Sequence, residues 1–290
     1  MRKLYSPAVI KEVMARHRIS FHKSLGQNFL IDGNAVRAIA EAAELGPVDV
    51  VLEIGPGIGT LTQELAERAG RVIAIELDRG LIPVLEENMQ EYPNVQVITG
   101  DALQADFDDI VKTSAGSLVE YKVLGNLPYY ITTPLIMHVL ERGFNFSVFV
   151  LMVQKEVAQR IVAGPGSKDY GILSLAVQYY SVPELVLKVP STVFMPRPEV
   201  DSAVLKLTRR REPAVKVADP GMLFRIIRAG FGQRRKTLIN ALANSGIAGS
   251  KEELHQVFAD LGLDAGRRGE TLSMEEFGVL ANALTKTSYM

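Results

Sequence analysis

Residues 50–59 read Val50-Val51-Leu52-Glu53-Ile54-Gly55-Pro56-Gly57-Ile58-Gly59, an apolar run followed by glycines at alternate positions. The apolar run predicts a buried strand, and residues 60–69 after it predict an amphipathic helix. Glycines at such a strand-to-helix turn let the main chain approach a ligand and expose the amides of the helix N-terminus. The G-x-G-x-G spacing differs from the G-x-G-x-x-G of the pyrophosphate-binding fingerprint, so a nucleotide, a nucleoside or simple tight packing all stay open.

The alternation of strand and helix continues beyond this turn. Further strands are predicted over 71–76, 95–98, 121–124 and 148–153, and further helices over 78–89, 133–140 and 155–163. This rhythm is typical of a parallel, doubly wound sheet with helices on both faces. After residue 180, two strands over 185–189 and 203–207 follow each other without a helix between them. They predict an antiparallel hairpin added to the sheet.

The last third of the chain has a different pattern. Arg209-Arg210-Arg211-Glu212-Pro213 indicates a linker, and helices are predicted beyond it over 219–230, 234–244, 250–261 and 272–284. We therefore divide the chain into a first domain over residues 1–210 and a small all-α domain over residues 211–290. The first domain begins with a basic arm over 1–25, in which Ser6 and Pro7 are suited to the N-cap and first position of a helix.

The composition of the 290 residues narrows the class of protein. There is no cysteine, which excludes disulfides and thiolate metal sites, and the four histidines are too scattered to predict a metal site. The longest apolar run, over 148–153, is far shorter than the ~20 residues that span a bilayer, and the N-terminus lacks the apolar core of a signal peptide. The basic N-terminus is also compatible with a mitochondrial presequence, but we favour an N-terminal helix and a cytoplasmic, monomeric protein.

Charge is segregated along the chain, although the formal net charge is only -1. Residues 1–25 carry six basic and one acidic side chain, residues 40–125 carry five and sixteen, and residues 188–240 carry twelve and four. Such runs are commonly plain solvated surface. Their order nevertheless suits a protein that holds a cation in its acidic part and a polyanion on its basic parts.

Two carboxylates follow predicted strands beside the glycine-rich turn. Glu76 ends the strand over 71–76, where it can accept hydrogen bonds from ribose hydroxyls, and Asp101 follows the third strand, where it can accept one from an adenine amino group. Either acid alone is equally well explained as a helix cap or a solvated loop residue. Because the ends of successive parallel strands line one crevice, the three features together predict an adenosine site. No basic residue is among them, so a cationic ligand fits best, and this points to S-adenosylmethionine.

The fourth strand is followed by Gly125-Asn126-Leu127-Pro128-Tyr129-Tyr130. Pro128 is explained by a turn of the chain, but Asn126 and Tyr129 are not. The exocyclic amine of adenine is a poor nucleophile because its lone pair is delocalised into the ring. The side-chain oxygen of Asn126 and a main-chain carbonyl of the turn can accept its two N–H groups and favour a pyramidal nitrogen. The ring of Tyr129 offers a stacking face for the base. The turn therefore predicts a place where an amine on a flat ring meets a methyl donor.

These residues carry a resemblance to a known family. Asn126-Leu127-Pro128-Tyr129 is similar to the N-L/I-P-Y motif of the ribosomal RNA adenine dimethylases, and further segments match the same family: His22–Leu30, Glu53–Gly59, Glu76, Asp101 with Ala102, Phe194–Pro198, Val200–Val204 and Phe231–Leu238. The last segment resembles the branch that modifies small-subunit (16S) rRNA. The resemblance covers nearly the whole chain. It implies an α/β fold with a Rossmann-like, seven-stranded class I methyltransferase sheet and a small all-α C-terminal domain.

The resemblance also implies roles for individual residues. Those that would hold S-adenosylmethionine are Asn28, Leu30, Gly55, Gly57, Glu76, Asp101, Ala102 and Asn126. Asn126 would also face the target amine, and Tyr129 and Phe194 would sandwich an adenine flipped out of its stack. On its own, Phe194 would be interpreted as a core aromatic at a strand end.

RNA phosphates would be bound in the C-terminal domain by Arg234, Arg235 and Lys236, which lie at the start of a predicted helix. An exposed helix face or pairing with acids elsewhere explains these three residues equally simply. Further basic residues that would assist them are Arg225 and Arg228, and, in the N-terminal arm, Arg16, Arg18 and Lys23.

The function that this resemblance implies is the S-adenosylmethionine-dependent N6,N6-dimethylation of two adjacent adenosines in a hairpin near the 3' end of 16S rRNA. The substrate would be rRNA in an assembling small ribosomal subunit, and no metal is expected. Three alternatives remain. A large-subunit rRNA adenine methylase of the antibiotic-resistance type is disfavoured by residues 231–238, and a non-catalytic RNA-binding assembly factor by the intact Asn126 and Tyr129. An NAD-dependent oxidoreductase lacks the required glycine spacing.

Overall fold

The computed structural model of the protein describes residues 3–19, 28–247 and 250–287. It divides into two compact units: Met1–Ala158 with Pro183–Arg209, and Gln159–Val182 with Arg210–Met290. The predicted division at residue 210 differs from this in one segment, because Gln159–Val182 belongs to the second unit. The part of the N-terminal signature over 22–27, with Lys23, lies outside the described residues.

The first unit is built on one mixed sheet. Its strands, with two short ones outside it, are β1 (Phe29–Leu30), β2 (Val50–Ile54), β3 (Arg71–Glu76), β4 (Val95–Thr99), β5 (Tyr121–Asn126), β6 (Phe146–Gln154), β7 (Ser181–Val189), β8 (Phe194–Met195) and β9 (Ser202–Arg209). The seven-stranded sheet has the order β4-β3-β2-β5-β6-β9-β7. Strands β2 to β6 pair in parallel and β9 is antiparallel to β6. This confirms the Rossmann-like, seven-stranded prediction.

The sequence did not indicate the positions that β7 and β9 take in the sheet. The later strand β9 lies against β6, and β7 lies at the edge. Strands β1 and β8 form a separate antiparallel pair, in which Leu30 lies opposite Phe194. This short ribbon brings residues near 30 and near 194 together, although they are far apart in the sequence.

Helices cover the sheet, and the central strands are apolar because both faces are covered. The helices that precede the second unit are α1 (Pro7–Arg16), α2 (Gly33–Ala42), α3 (Thr60–Ala66), α4 (Ile82–Met89), α5 (Phe107–Ala115), α6 (Tyr129–Glu141) and α7 (Lys155–Val162), the last of which continues into that unit. Val51, Leu52 and Ile54 of β2 are all buried. The predicted N-terminal helix is confirmed as α1, with Pro7 in its first turn, but the Ser6 side chain forms no cap hydrogen bond.

Helix α6 begins at Tyr129, four residues before its predicted start at 133. Pro128 occupies the N-cap with φ -57° and ψ 135°. Its carbonyl oxygen accepts hydrogen bonds from the Ile131 amide and the Thr132 hydroxyl, both at 3.2 Å. The proline therefore ends β5 and starts the helix directly, so that Tyr129 lies on a first helical turn and not in a loop.

The second unit is helical, as predicted for the C-terminal region. It contains α8 (Ile172–Tyr180), α9 (Pro220–Gly232), α10 (Leu238–Ser245), α11 (Lys251–Asp260) and α12 (Met274–Thr287). Its apolar core includes Leu175 of α8, Ile226 of α9, Leu238 of α10 and Phe277 of α12. No helix in the described parts of the chain is both long enough and apolar enough to cross a membrane.

Candidate active site

The glycine-rich turn between β2 and α3 requires its glycines. Gly55 and Gly57 have φ angles of 66° and 62°, in the left-handed region that favours glycine. A Cβ on Gly57 would lie only 3.0 Å from the ring of Phe29. The main chain of the turn is therefore closely covered by β1, and a side chain at Gly57 would have to displace this cover.

One cavity opens at the carboxyl ends of β2, β3, β4 and β5. The empty space between its walls, with the open solvent at its mouth included, is about 1160 Å³. Its lining includes every residue that the sequence predicts for the cofactor or the target: Asn28, Leu30, Gly55, Gly57, Glu76, Asp101, Ala102, Asn126, Tyr129 and Phe194. The structure thus brings these ten residues together in the first unit.

Apart from Tyr129 and Tyr130, every ionisable side chain that lines this cavity is acidic. Four acidic side chains contribute to it, those of Glu53, Glu76, Asp78 and Asp101, whereas no Lys, Arg or His of the described chain does. A phosphate or pyrophosphate would meet unfavourable charge here. The cavity is suited to a ligand that is neutral or positively charged.

Glu76 is held rigidly at the end of β3. Its Oε2 accepts a hydrogen bond from the Gly57 amide at 2.9 Å, and its Oε1 accepts one from the Asp78 amide at 2.8 Å. The side chain is buried, and burial raises the pKa of its carboxyl, while the two amides act in the opposite direction. Each carboxylate oxygen has a second lone pair, so Glu76 keeps the capacity to accept ribose hydroxyls.

Asp101 forms a tight local turn after β4. Its Oδ1 accepts from the Leu103 amide and its Oδ2 from the Gln104 side-chain amide, both at 3.0 Å. This is the Asx-turn geometry that aspartate commonly adopts. The turn presents the half-buried carboxylate and the neighbouring Ala102 to the cavity.

The orientation of the Asn126 amide follows from its partner. Asn126 ends β5, and its Nδ2 donates a hydrogen bond to the main-chain oxygen of Asn28 at 3.2 Å. A carbonyl oxygen only accepts, so the amide nitrogen must face it. The Asn126 side-chain oxygen is therefore left to accept hydrogen bonds from a ligand.

Tyr129 and Phe194 supply the aromatic walls of the cavity. The Tyr129 hydroxyl lies 2.7 Å from the Ser202 Oγ at the start of β9, which fixes the direction of the ring. Burial raises the pKa of the Tyr129 phenol, so it stays neutral at physiological pH. Phe194, in β8, is 4% exposed and also packs in the core of the first unit. It is thus both a core aromatic and a cavity wall.

Glu53 is a cavity residue to which the sequence pattern attached no role. It lies in β2 at 1% exposure, and its Oε2 has no hydrogen-bond partner among the described residues. Burial raises the pKa of this carboxyl to about 8; the Thr62 side chain opposes the effect and Glu76 adds to it. The sequence did contain a signal for Glu53, because it is an ionisable residue within an otherwise apolar predicted strand.

The basic residues predicted to bind RNA lie in the second unit, in a different position from the predicted one. Arg234, Arg235 and Lys236 do not start a helix. They form a turn between α9 and α10, because Thr237 is the N-cap of α10 and its hydroxyl accepts from the Asn240 amide at 3.4 Å. Arg235 and Lys236 are exposed and belong to no ion pair formed by the described residues.

Arg234 differs from its two neighbours because its guanidinium is already occupied. It donates hydrogen bonds to the main-chain oxygens of Tyr170 at 2.6 Å and Lys168 at 3.5 Å. It also lies over the ring of Phe231, at 5.6 Å from the centroid. These contacts join the turn to the loop before α8, so Arg234 stabilises the second unit.

The N-terminal arm is also partly neutralised within the chain. Arg16 pairs with Glu12 at 2.7 Å and with Glu87 of α4 at 2.8 Å, and His17 lies 3.0 Å from the other Glu87 oxygen. These pairs fix α1 beside α4 and reduce the positive charge that Arg16 offers to RNA. Among the residues that the structure describes, no cluster of His, Cys, Asp and Glu has the composition of a metal site.

Comparisons with known proteins match nearly the whole chain. The family model described as "Ribosomal RNA adenine dimethylase" matches residues 18–282. A Ribosomal RNA small subunit methyltransferase A from Moorella thermoacetica is 57% identical over 266 residues, which are 90% of this chain and 92% of that protein. One from Pelotomaculum thermopropionicum is 50% identical over 283 residues, 96% of each chain.

Two solved structures share the fold over most of their length. A dimethyladenosine transferase from Plasmodium falciparum has a TM-score of 0.78 at 26% identity, over 90% of this chain and 98% of that one. The 23S rRNA methyltransferase ErmE has a TM-score of 0.70 at 28% identity, over 89% and 99%.

Proposed function

The chain belongs to the ribosomal RNA adenine dimethylase family, and from this premise we propose that it dimethylates N6 of two adjacent adenosines in a hairpin near the 3' end of 16S rRNA. The observation that carries the proposal is the acidic cavity that collects Asn126, Tyr129, Phe194 and the residues predicted for the cofactor. The methyl donor is S-adenosylmethionine, which supplies an electrophilic methyl group on a positively charged sulfur.

The residues of the cavity fit this donor in charge and shape. Gly55 and Gly57 let the main chain run beneath it without a side chain in the way. Glu76 has lone pairs left for the ribose hydroxyls, and Asp101 with the Ala102 amide would form hydrogen bonds with the adenine. Leu30, in β1, and Asn28, just before β1, cover the site. The absence of basic lining residues in the described chain favours a cationic ligand over a dinucleotide.

The target adenine enters between Tyr129 and Phe194. Stacking on two aromatic faces compensates the loss of stacking that the base suffers when it leaves the RNA. The Asn126 side-chain oxygen and a main-chain carbonyl of the same turn accept the two N–H groups of the exocyclic amine. This would free the nitrogen lone pair from conjugation with the ring, so that it could attack an electrophilic methyl group. A nitrogen that has become cationic would then lose its proton to water, so no strong base is needed.

The RNA backbone is bound by exposed basic residues of the second unit. Arg225 and Arg228 project from α9 into solvent, as do Arg235 and Lys236 from the following turn. Contacts of this kind bind phosphates without regard to sequence and are sensitive to salt. The protein acts as a cytoplasmic monomer on rRNA in assembling small subunits, where it contributes to their biogenesis.

A small-subunit rather than a large-subunit substrate is favoured by the relatives. The small-subunit methyltransferases are 50% and 57% identical to this chain, whereas the 23S rRNA methyltransferase is 28% identical. Mass mapping of modified bases in 16S and 23S rRNA, from cells with and without the gene, tests this choice. Loss of dimethyladenosine from 16S rRNA alone is expected. A loss from 23S rRNA, or no loss from either, would refute the proposal.

A further inference from the structure

Tyr130, the residue after Tyr129, lies at the mouth of the cavity. It contributes to the lining, yet 57% of the residue is exposed. Among the exposed large hydrophobic residues of the described chain it is the one aromatic. Its hydroxyl has no hydrogen bond to any residue within 3–19, 28–247 or 250–287. Neither packing nor hydrogen bonding within these ranges explains a large ring at this position.

The two consecutive tyrosines are placed differently by the first turn of α6. Successive residues of an α-helix point about 100° apart, so when the Tyr129 ring faces into the cavity the Tyr130 ring is directed to its rim. The Tyr129 hydroxyl is tied to Ser202 and its pKa is raised by burial. Tyr130 has neither restraint, so its free ring face is available to a partner that arrives with the substrate.

The proposed substrate brings such a partner. When one of two adjacent adenosines occupies the cavity, its neighbour is one nucleotide away, unstacked from it and near the mouth. We propose that Tyr130 is a substrate-binding residue whose ring stacks on the base adjacent to the adenine held by Tyr129 and Phe194. This inference rests on the proposed function. An aromatic face accepts any base, so Tyr130 contributes to positioning and not to sequence recognition.

The test is a double-mutant cycle between Tyr130 and the adjacent base. Small subunits are reconstituted with 16S rRNA that lacks the modification, either intact or with an abasic site in place of the adjacent base. Tyr130→Ala is expected to lower kcat/KM on intact subunits by roughly 5- to 150-fold, the range for the loss of one base–aromatic stack. On abasic subunits it should have almost no further effect. Tyr130→Phe should retain activity on both substrates.

Two controls separate this role from a structural one. Leu118→Ala removes another exposed apolar side chain of the first unit, outside the cavity, and should leave kcat/KM unchanged. Calorimetric binding of S-adenosylmethionine to Tyr130→Ala should match the unaltered protein. An equal loss on intact and abasic subunits, a Phe variant as weak as the Ala variant, or weakened cofactor binding would each overturn the inference. No transfer by the unaltered protein to intact subunits would instead refute the proposed function itself.

Discussion

Replacing Glu53 with glutamine is expected to stabilise the protein at alkaline pH. Glu53 is buried in β2, its Oε2 has no partner among the described residues, and burial raises the pKa of its carboxyl to about 8, from 4.5 for an ordinary glutamate. The folded protein therefore keeps a proton on Glu53 at pH values where the unfolded chain has released it. Because the unfolded state binds fewer protons, the free energy of unfolding falls as the pH rises.

The size of the effect follows from the two pKa values. The contribution of Glu53 to the free energy of unfolding is largest below about pH 4.5 and declines between about pH 4.5 and 8. Above about pH 8 it no longer changes with pH. At about 1.4 kcal/mol for each pKa unit, the total loss is about 5 kcal/mol, a large part of the stability of an ordinary domain. Glutamine has nearly the shape of the protonated acid and cannot ionise, so Glu53→Gln should lack this loss.

The assay is urea unfolding, followed by far-UV circular dichroism at a series of pH values from 5 to 9. The two proteins should differ by about 1 kcal/mol or less at pH 5, and the variant should exceed the unaltered protein by about 5 kcal/mol at pH 9. Glu86→Gln, on the exposed face of α4, serves as the matched control and should leave the pH dependence unchanged. Parallel curves for Glu53→Gln and the unaltered protein would show that the buried carboxyl is already ionised, and would refute the reasoning.

Three further expectations concern the reaction and the RNA. Asn126→Ala should lower methyl transfer by at least about 100-fold, because the amine loses its acceptor, while S-adenosylmethionine measured by calorimetry still binds; unchanged turnover of radiolabelled methyl would contradict this role. Tyr129→Ala should raise KM for RNA and lower kcat, whereas a purely structural role would appear as a lower Tm with unchanged kinetics. Neutralising Arg235 and Lys236 together should reduce the slope of log affinity for RNA against log salt concentration by about two. Arg234→Ala should instead lower the Tm of the protein and change that slope little. A reduced slope for Arg234→Ala with an unchanged slope for the double variant would show that Arg234, and not its two neighbours, binds phosphate.

The sheet was predictable from the sequence because its strands are short apolar runs separated by strong turn signals. The strands over 71–76 and 121–124 differ from β3 and β5 by at most two residues at one end. Helix α8 was missed because its apolar residues are not confined to one face. Its residues Ile172–Tyr180 are almost continuously apolar and mostly buried, so they lack the one-sided pattern that distinguishes a helix from a loop or a strand.

The positions of the acidic site residues were predictable because each follows a parallel strand. Glu76 ends β3 and Asp101 comes just after the neighbouring β4, and the carboxyl ends of such parallel strands lie along one edge. Their hydrogen bonds to the main-chain amides of Gly57, Asp78 and Leu103 were not predictable. These bonds depend on the φ angles that the glycines adopt and on the exact turn after β4, which residue types alone do not determine.

The position of Phe194 in the cavity is not predictable from the residue pattern, because it is determined by tertiary strand pairing. Its place in the cavity depends on the antiparallel contact of β8 with β1, two-residue strands that are too short to leave a periodic signal. Arg234 shows the same limit for charge. In the sequence it is one of three adjacent basic residues, but the carbonyl groups that bind its guanidinium lie 64 and 66 residues away. A basic run thus identifies a surface that can bind phosphate, whereas the contacts of each side chain decide which of its charges are free to do so.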